Sequence, residues 1–370
     1  PYGRALLPGD VLRMGSAPHH PHAPEAVPGS PPPVPPVAMA RSWDIGVLYG
    51  PHGAPDFFTP ADIETLFAAE YLVHHNSNRT GVRLEGPRPA WARTDGGEAG
   101  LHPSNIHDNA YAVGAIDFTG DMPILLGPDG PSLGGFVCPA VTAQAELWKL
   151  GQLRPGDTVR FRKWDAAHAA SMLEEQERTL AAVASTGRVP PERSGTTVSF
   201  GSIRSSLFDP DAAVLHREDA ADRHPGICLR RQGDANLLVE YGAAELDLLL
   251  RARVQALLEA LRTRGLSGVL DLTPGIRSLQ VHFDPRRLPL TRLLDAVLEC
   301  DAALPPVDAM TFPSRTVHLP LSWDDEAIHR VIERYSTTVR ADAPWCPSNI
   351  EFIRRINGLS SVEDVKRIIF

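Results

Sequence analysis

A chain of 370 residues has room for two or three domains, and an apolar content of 43% gives them real cores. A formal charge of −9 argues against a protein that tracks nucleic-acid phosphates. No apolar run reaches the roughly 18 residues of a membrane helix, so no membrane association is expected.

The chain opens on PYGRALLPGDVLRMG, which reads as mid-domain strand and turn. It stops in VEDVKRIIF, still apolar in pattern, so both ends are expected to be cuts through a longer polypeptide. Residues 17–40 are a Pro-rich loop. Its His19, His20 and His22 are poorly constrained for metal binding there. From Trp43 the pattern tightens: DIGVLYG alternates as a strand, and FTPADIETLF starts a helix with Thr59 as N-cap and Pro60 in the first turn. YLVHHNSNRTGVRLEG reads as strand, turn, strand, and GQLRPGDTVRFRKW closes the region as a turn and an alternating strand. Short strands, many turns and one short helix predict a β-barrel over 1–165.

Residues 166–186 are rich in Ala, Leu and Glu and predict a helix, followed by a polar linker to 222. Residues 223–310 then read as a strand pair, an amphipathic helix ending at Gly265, a second strand pair about a TPG turn, and a second helix. That succession is the start of a ferredoxin-like α+β module. RTVHLPLSW predicts a strand opening a further unit over 311–370, followed by two short helices, the second capped by Ser360 or Ser361.

Chemistry concentrates in 91–136, where WARTDGGEAGLHPSNIHDNAYAVGAIDFTGDMPILLGPDGPSLGGF mixes acids, histidines and glycines. His102, set in a rigid turn before Pro103, is a candidate for polar recognition or proton handling. His107 reads as a turn histidine bonded to backbone, and its spacing from His102 does not favour a metal pair. GPDGPSLGGF lacks the Lys of a P-loop, and Ser132 lacks the context of a hydrolase nucleophile. Asp117, between Ile116 and Phe118, either faces water by alternation or lines a pocket. The four cysteines form no CxxC pair, which argues against structural zinc and suits a reducing, cytoplasmic setting.

The run from TDGGEAGLHPSNIHD through FTGD, DGPSLGGF and AELWKLGQLRPGD resembles the carboxyltransferase domain of biotin-dependent urea and guanidine carboxylases, the urea amidolyase family. LRRQGDANLLVEYG and DLTPGIRSLQVHFDP resemble the second half of the same domain. The order is an allophanate hydrolase subunit 2-like half followed by a subunit 1-like half. The resemblance implies a mainly β fold with α+β parts: a cyclophilin-like barrel, a ferredoxin-like subdomain, and the start of a second cyclophilin-like barrel. It implies transfer of CO2 from carboxybiotin to a substrate nitrogen. Biotin would arrive on a carrier domain, while ATP and Mg would serve a biotin carboxylase domain; neither domain's signature is in this chain.

His102 and Asp117 are the residues that this reading assigns to catalysis. Asn105, Asp117, Asp121, Glu98 and Ser132 are assigned to the substrate or its supporting loops, and no metal is expected. Urea enzymes of the family tend to carry Asn in the position of Asp117, so DFTGD leans towards guanidine over urea. Two other readings are a partner component of 5-oxoprolinase type and a regulatory domain resembling kinase inhibitors. The intact polar cluster argues against the second.

Overall fold

In the computed structural model of the chain, residues 39–94, 97, 102–186, 212–221 and 224–370 are described. The Pro-rich loop with its three histidines and the candidate Glu98 lie outside them. β1 (Ser42–Tyr49) turns Trp43, Ile45 and Val47 into a first hydrophobic core. α1 (Pro60–Ala68) follows, with Thr59 and Asp62 exchanging both bonds of a capping box and Leu66 buried in the same core. Next come β2 (Tyr71–Val73), β3 (Gly81–Glu85), β4 (Asn105–Ala110), β5 (Ala115–Thr119), β6 (Met122–Leu126), β7 (Leu133–Phe136) and β8 (Ala140–Thr142). After a short helix α2 (Leu147–Leu150), β9 (Thr158–Lys163) returns to pair in parallel with β1, Ser42 opposite Thr158 and Val47 opposite Lys163.

Seven of these strands close a barrel in the order β1-β8-β5-β6-β3-β2-β9. Closure leaves no edge, which suits strands as short as three residues. β4 and β7 pair with each other outside the barrel. α3 (Ala166–Thr186) lies on the outer face of β1, where Ala169 packs with Leu48 and Ala143. Gly46 is required here, because a Cβ on it would fall 2.2 Å from the Trp164 ring.

The second core sits under a five-stranded antiparallel sheet, ordered β10 (Val214–Glu218), β11 (Ile227–Gln232), β12 (Asn236–Tyr241), β14 (Ser278–Phe283), β13 (Val269–Pro274). α4 (Leu248–Arg264) and α5 (Leu290–Ala302) cover it with Leu250, Leu257, Leu258 and Leu261 from one and Leu293, Leu294 and Val297 from the other. α4 starts on the Asp247 side chain and stops at Gly265, whose φ of 61° is the left-handed end that glycine accepts. β12, α4 and β13 form a crossover with β14 inserted between the two strands, the split βαβ core of a ferredoxin-like fold. β11, before the core in sequence, takes the place beside β12 where a strand after α5 would be expected. β10 adds a further edge strand. The linker expected over 166–222 therefore ends earlier, because Val214–Glu218 has a ladder partner in β11 that its polar composition did not announce.

Residues 311–370 form a second compact unit. α6 (Glu326–Thr338), α7 (Asn349–Ile356) and α8 (Val362–Ile369) start on Asp325, Ser348 and Ser361. The strand expected over 315–323 is absent: an alternating segment becomes a strand only when a neighbour accepts its backbone, and no described residue pairs with it. No helix of the described residues is long and apolar enough to cross a membrane.

Candidate functional site

β5 is the strand that matters most for the site. Ile116 and Phe118 face the barrel core, so alternation sends Asp117 to the opposite face. That face is not open to water. Tyr111, Leu133, Gly134 and Phe136 stand over it, and Asp117 is left 4% exposed on the wall of a cleft of about 420 Å³. The β2–β3 turn and β3 continue the lining with Asn76, Asn78, Thr80, Gly81 and Arg83.

Asp117 makes no side-chain hydrogen bond to any described residue, and its Oδ1 is buried without a partner. Burial with nothing to offset it pushes its pKa from the ordinary 3.8 up to about 7. Tyr111 beside it is also raised, by burial first and then by the nearby Cys138 and Asp117. Its hydroxyl accepts from the Phe136 N–H at 2.7 Å, which fixes the ring over the cleft.

The other candidate residues gather elsewhere. His102 Nδ1 lies 3.0 Å from Ser104 Oγ and accepts from the Ser104 N–H, while its Nε2 is 3.5 Å from Asp121 Oδ1. Asp121 also accepts from the Trp91 indole N–H at 2.9 Å, and Ser104 Oγ accepts from the Gly120 N–H. The Trp91 ring meets His102 edge-on and packs with Phe58 and Phe118. This group ties the 102–104 turn to the β5–β6 hairpin. Asn105 opens β4 opposite Phe136, with its backbone N–H donating to the His102 carbonyl. Ser132 contributes its backbone carbonyl to Tyr111 N–H. None of His102, Asn105, Asp121 and Ser132 lines the cleft that holds Asp117, although Pro131 and Leu133 on either side of Ser132 do.

Arg83, Asn76, Asn78 and Thr80 were not singled out in the sequence. The signal that brings them to Asp117 is strand register: Arg83 faces Ile124 across β3–β6, and Ile124 faces Asp117 across β6–β5. No residue spacing in the chain carries that information.

A second cleft, about 490 Å³, opens where the barrel meets the five-stranded sheet. It holds Arg217, Arg230 and Arg277 beside Asp56 and Glu240. Here the charges are matched. Arg217 and Arg230 pair with Asp56, and Arg230 and Arg277 pair with Glu240. Burial would raise Glu240, but the two guanidiniums outweigh it and hold it at about 2. This constellation joins the two subdomains, together with Gln232, whose Nε2 donates to the Ala110 carbonyl at 2.7 Å, and Ile276, whose N–H donates to the Asp108 carbonyl. Gly275 lets that junction close, since a Cβ there would sit 2.6 Å from the Asp108 carbonyl oxygen.

Comparison with known proteins relates both halves of the chain to one kind of domain. Residues 1–163 match the family described as carboxyltransferase domain, subdomain A and B, and residues 227–370 match carboxyltransferase domain, subdomain C and D. The chain is 38% identical to the urea amidolyase of Saccharomyces cerevisiae over 362 residues, 98% of this chain and 19% of that protein. It is 31% identical to a putative urea carboxylase of Emericella nidulans over 335 residues, 87% of this chain and 27% of that protein. The crystal structure of the Kluyveromyces lactis urea carboxylase superposes with a TM-score of 0.73 at 36% identity, covering 91% of this chain and 29% of that one. The chain thus spans about a fifth of the length of the yeast urea amidolyase that it matches.

Proposed function

The chain belongs to the carboxyltransferase-domain family of urea amidolyases and urea carboxylases, and from that premise we propose that it accepts and carboxylates a small nitrogenous substrate, with guanidine preferred over urea. Biotin supplies the activated carboxyl group, carried by a carrier domain and loaded by an ATP- and Mg-using biotin carboxylase domain. The residues of this chain bind and orient the acceptor and keep water from it. Residues 311–370 open a second barrel in this reading, which the match of residues 227–370 to carboxyltransferase subdomain C and D supports. Four free cysteines support a cytoplasmic setting.

One observation carries the guanidine reading: Asp117 is a buried acid on a cleft wall, and no side chain of the described residues pairs with it. A buried charge costs several kcal/mol unless it is paired. Urea is neutral: its N–H groups can donate to a carboxylate but cannot offset its charge, and its carbonyl oxygen finds no donor in Asp117. Guanidinium is a flat cation with donors only, and a carboxylate takes two of its N–H groups at once. Its entry would restore Asp117 to the ionised form and supply the missing partner. The supporting measurement is ATP cleavage by this chain joined to its biotin carboxylase and carrier domains. Guanidinium-dependent turnover that shifts towards urea in Asp117→Asn is expected. Urea-dependent turnover indifferent to that substitution would refute the guanidine preference.

A further inference from the structure

We infer that Arg83 is the anchor for the carboxylate of the transferred group, so that the cleft is a dipolar site fitted to a guanidinium bearing a carboxylate. This inference rests on the reading of Asp117 as the cation-binding end.

Its basis is the strand register. Arg83, Ile124 and Asp117 are direct cross-strand partners on three adjacent barrel strands, β3, β6 and β5. Direct partners show their side chains on one face. The row therefore reads cation, apolar, anion, and all three residues line the same cleft. Two strand spacings separate its ends, roughly 10 Å between the outer Cα atoms. A direct ion pair across that row is within the reach of an arginine, yet none forms. Arg83 uses its backbone N–H and carbonyl in the β2–β3 turn, and its guanidinium makes no ion pair or side-chain hydrogen bond with any described residue. The other arginines of the barrel face make such pairs: Arg79 with Asp129, Arg160 with Glu70, Arg162 with Asp44. Arg83, an exposed residue, is the one of these four that lines the cleft of Asp117, and among the described residues it has no ion pair.

The chemistry of the transfer explains what would fill the gap. The bond between the carboxyl carbon and the donor ring nitrogen breaks, and a bond from that carbon to a substrate nitrogen forms. The proton lost by the substrate nitrogen goes to the donor nitrogen, so charge and atoms balance. Starting from guanidinium, the product keeps its cationic half and gains a carboxylate on one nitrogen. It is a short zwitterion. Its cation fits Asp117, its carboxylate fits the planar fork of Arg83, and Ile124 between them offers no competing hydrogen bond. A guanidinium fork is also suited to an incoming carboxyl group, which bears the same charge before transfer as after it. Arg83 thus selects for the position of the reacting carboxyl, while Asp117 selects the acceptor.

Guanidinoacetate is a stable probe of this geometry, because it carries a guanidinium and a carboxylate one methylene apart. The full 370-residue chain would be titrated calorimetrically with guanidinium, guanidinoacetate and acetate, in wild type, Arg83→Gln, Arg83→Lys and Asp117→Asn. The wild type is expected to bind guanidinoacetate about tenfold more tightly than guanidinium. Arg83→Gln should erase that ratio, Arg83→Lys should keep part of it, and Asp117→Asn should weaken both cations. Guanidinium binding with no preference for guanidinoacetate, or a preference untouched by Arg83→Gln, overturns the role of Arg83 and leaves the proposed function standing. Absence of guanidinium binding in the wild type overturns both.

Discussion

Glu240 on β12 and Asp117 on β5 are buried to the same degree, 5% and 4% exposed, yet they ionise in opposite directions. Burial pushes both up. Glu240 has Arg230 and Arg277 against its two oxygens and ends at about 2. Asp117 has no such partner and ends at about 7. The first acid is finished by the protein itself, where the barrel and the sheet must be locked together. The second is left incomplete, at a cost the fold bears, on the wall of a cleft. Burial alone does not mark a functional acid. Burial without a partner, beside a space that a cation can enter, is what makes Asp117 the candidate.

The contrast can be broken most severely at Glu240. Glu240→Ala leaves two buried guanidiniums without their carboxylate and should lower the unfolding free energy by about 3–5 kcal/mol. Urea denaturation of the full chain at neutral pH measures it. A loss near zero would mean that Arg230 relaxes wholly onto Asp56 and that the junction does not depend on the pair.

Asp117 should behave in the reverse sense. Its folded pKa of about 7 lies above its ordinary 3.8, so the folded state keeps a proton that the unfolded state releases between those values. Stability therefore falls as pH rises from about 4 to about 7. Asp117→Asn removes that slope and should be the more stable protein at pH 8, by up to about 4 kcal/mol, while the two converge near pH 4. Urea melts across that range test it. Guanidinium as the chloride at millimolar concentration should narrow the gap by restoring wild type, and a pH-independent difference would show that Asp117 finds a partner within the protein.

The smallest expected effect sharpens the comparison. Asp121 has partners, Trp91 and His102, and so belongs with Glu240 rather than with Asp117. Trp91→Phe keeps most of the ring packing and deletes one charge-assisted hydrogen bond, for a loss of about 2 kcal/mol in the same denaturation assay. Guanidinium affinity should stay within about twofold. A larger drop in affinity would draw the His102 group into the substrate site.

Much of the architecture was legible from local chemistry. The Thr59–Pro60–Asp62 start of α1, the leucine face of α4 with its Gly265 stop, and the Ser361 cap of α8 are decided by residues within a turn or two of one another. The sequence also singled out Asp117, through its odd place between Ile116 and Phe118 and through the family resemblance. Alternation by itself could not say what stands over that face, and Tyr111 and β7 arrive there only by tertiary packing. The same limit applied to Val214–Glu218 and Arg315–Trp323. Both are strand-like or polar in ways that a local reading misjudged, because a strand exists by its partner and the partner is distant in the chain.

What the sequence by itself determined, then, was the helices α1, α3, α4, α5, α7 and α8 and the family, which rest on short-range patterns or on long runs of matched residues; α6 (Glu326–Thr338) was not anticipated. Only the tertiary structure decided which charges meet. It paired Glu240 with arginines 10 and 37 residues away, and it set Arg83 in line with Asp117 while leaving both without a side-chain partner among the described residues. The physical reason is that electrostatic partnership depends on distance and dielectric in the folded state, and strand register fixes both without leaving a mark in the local sequence.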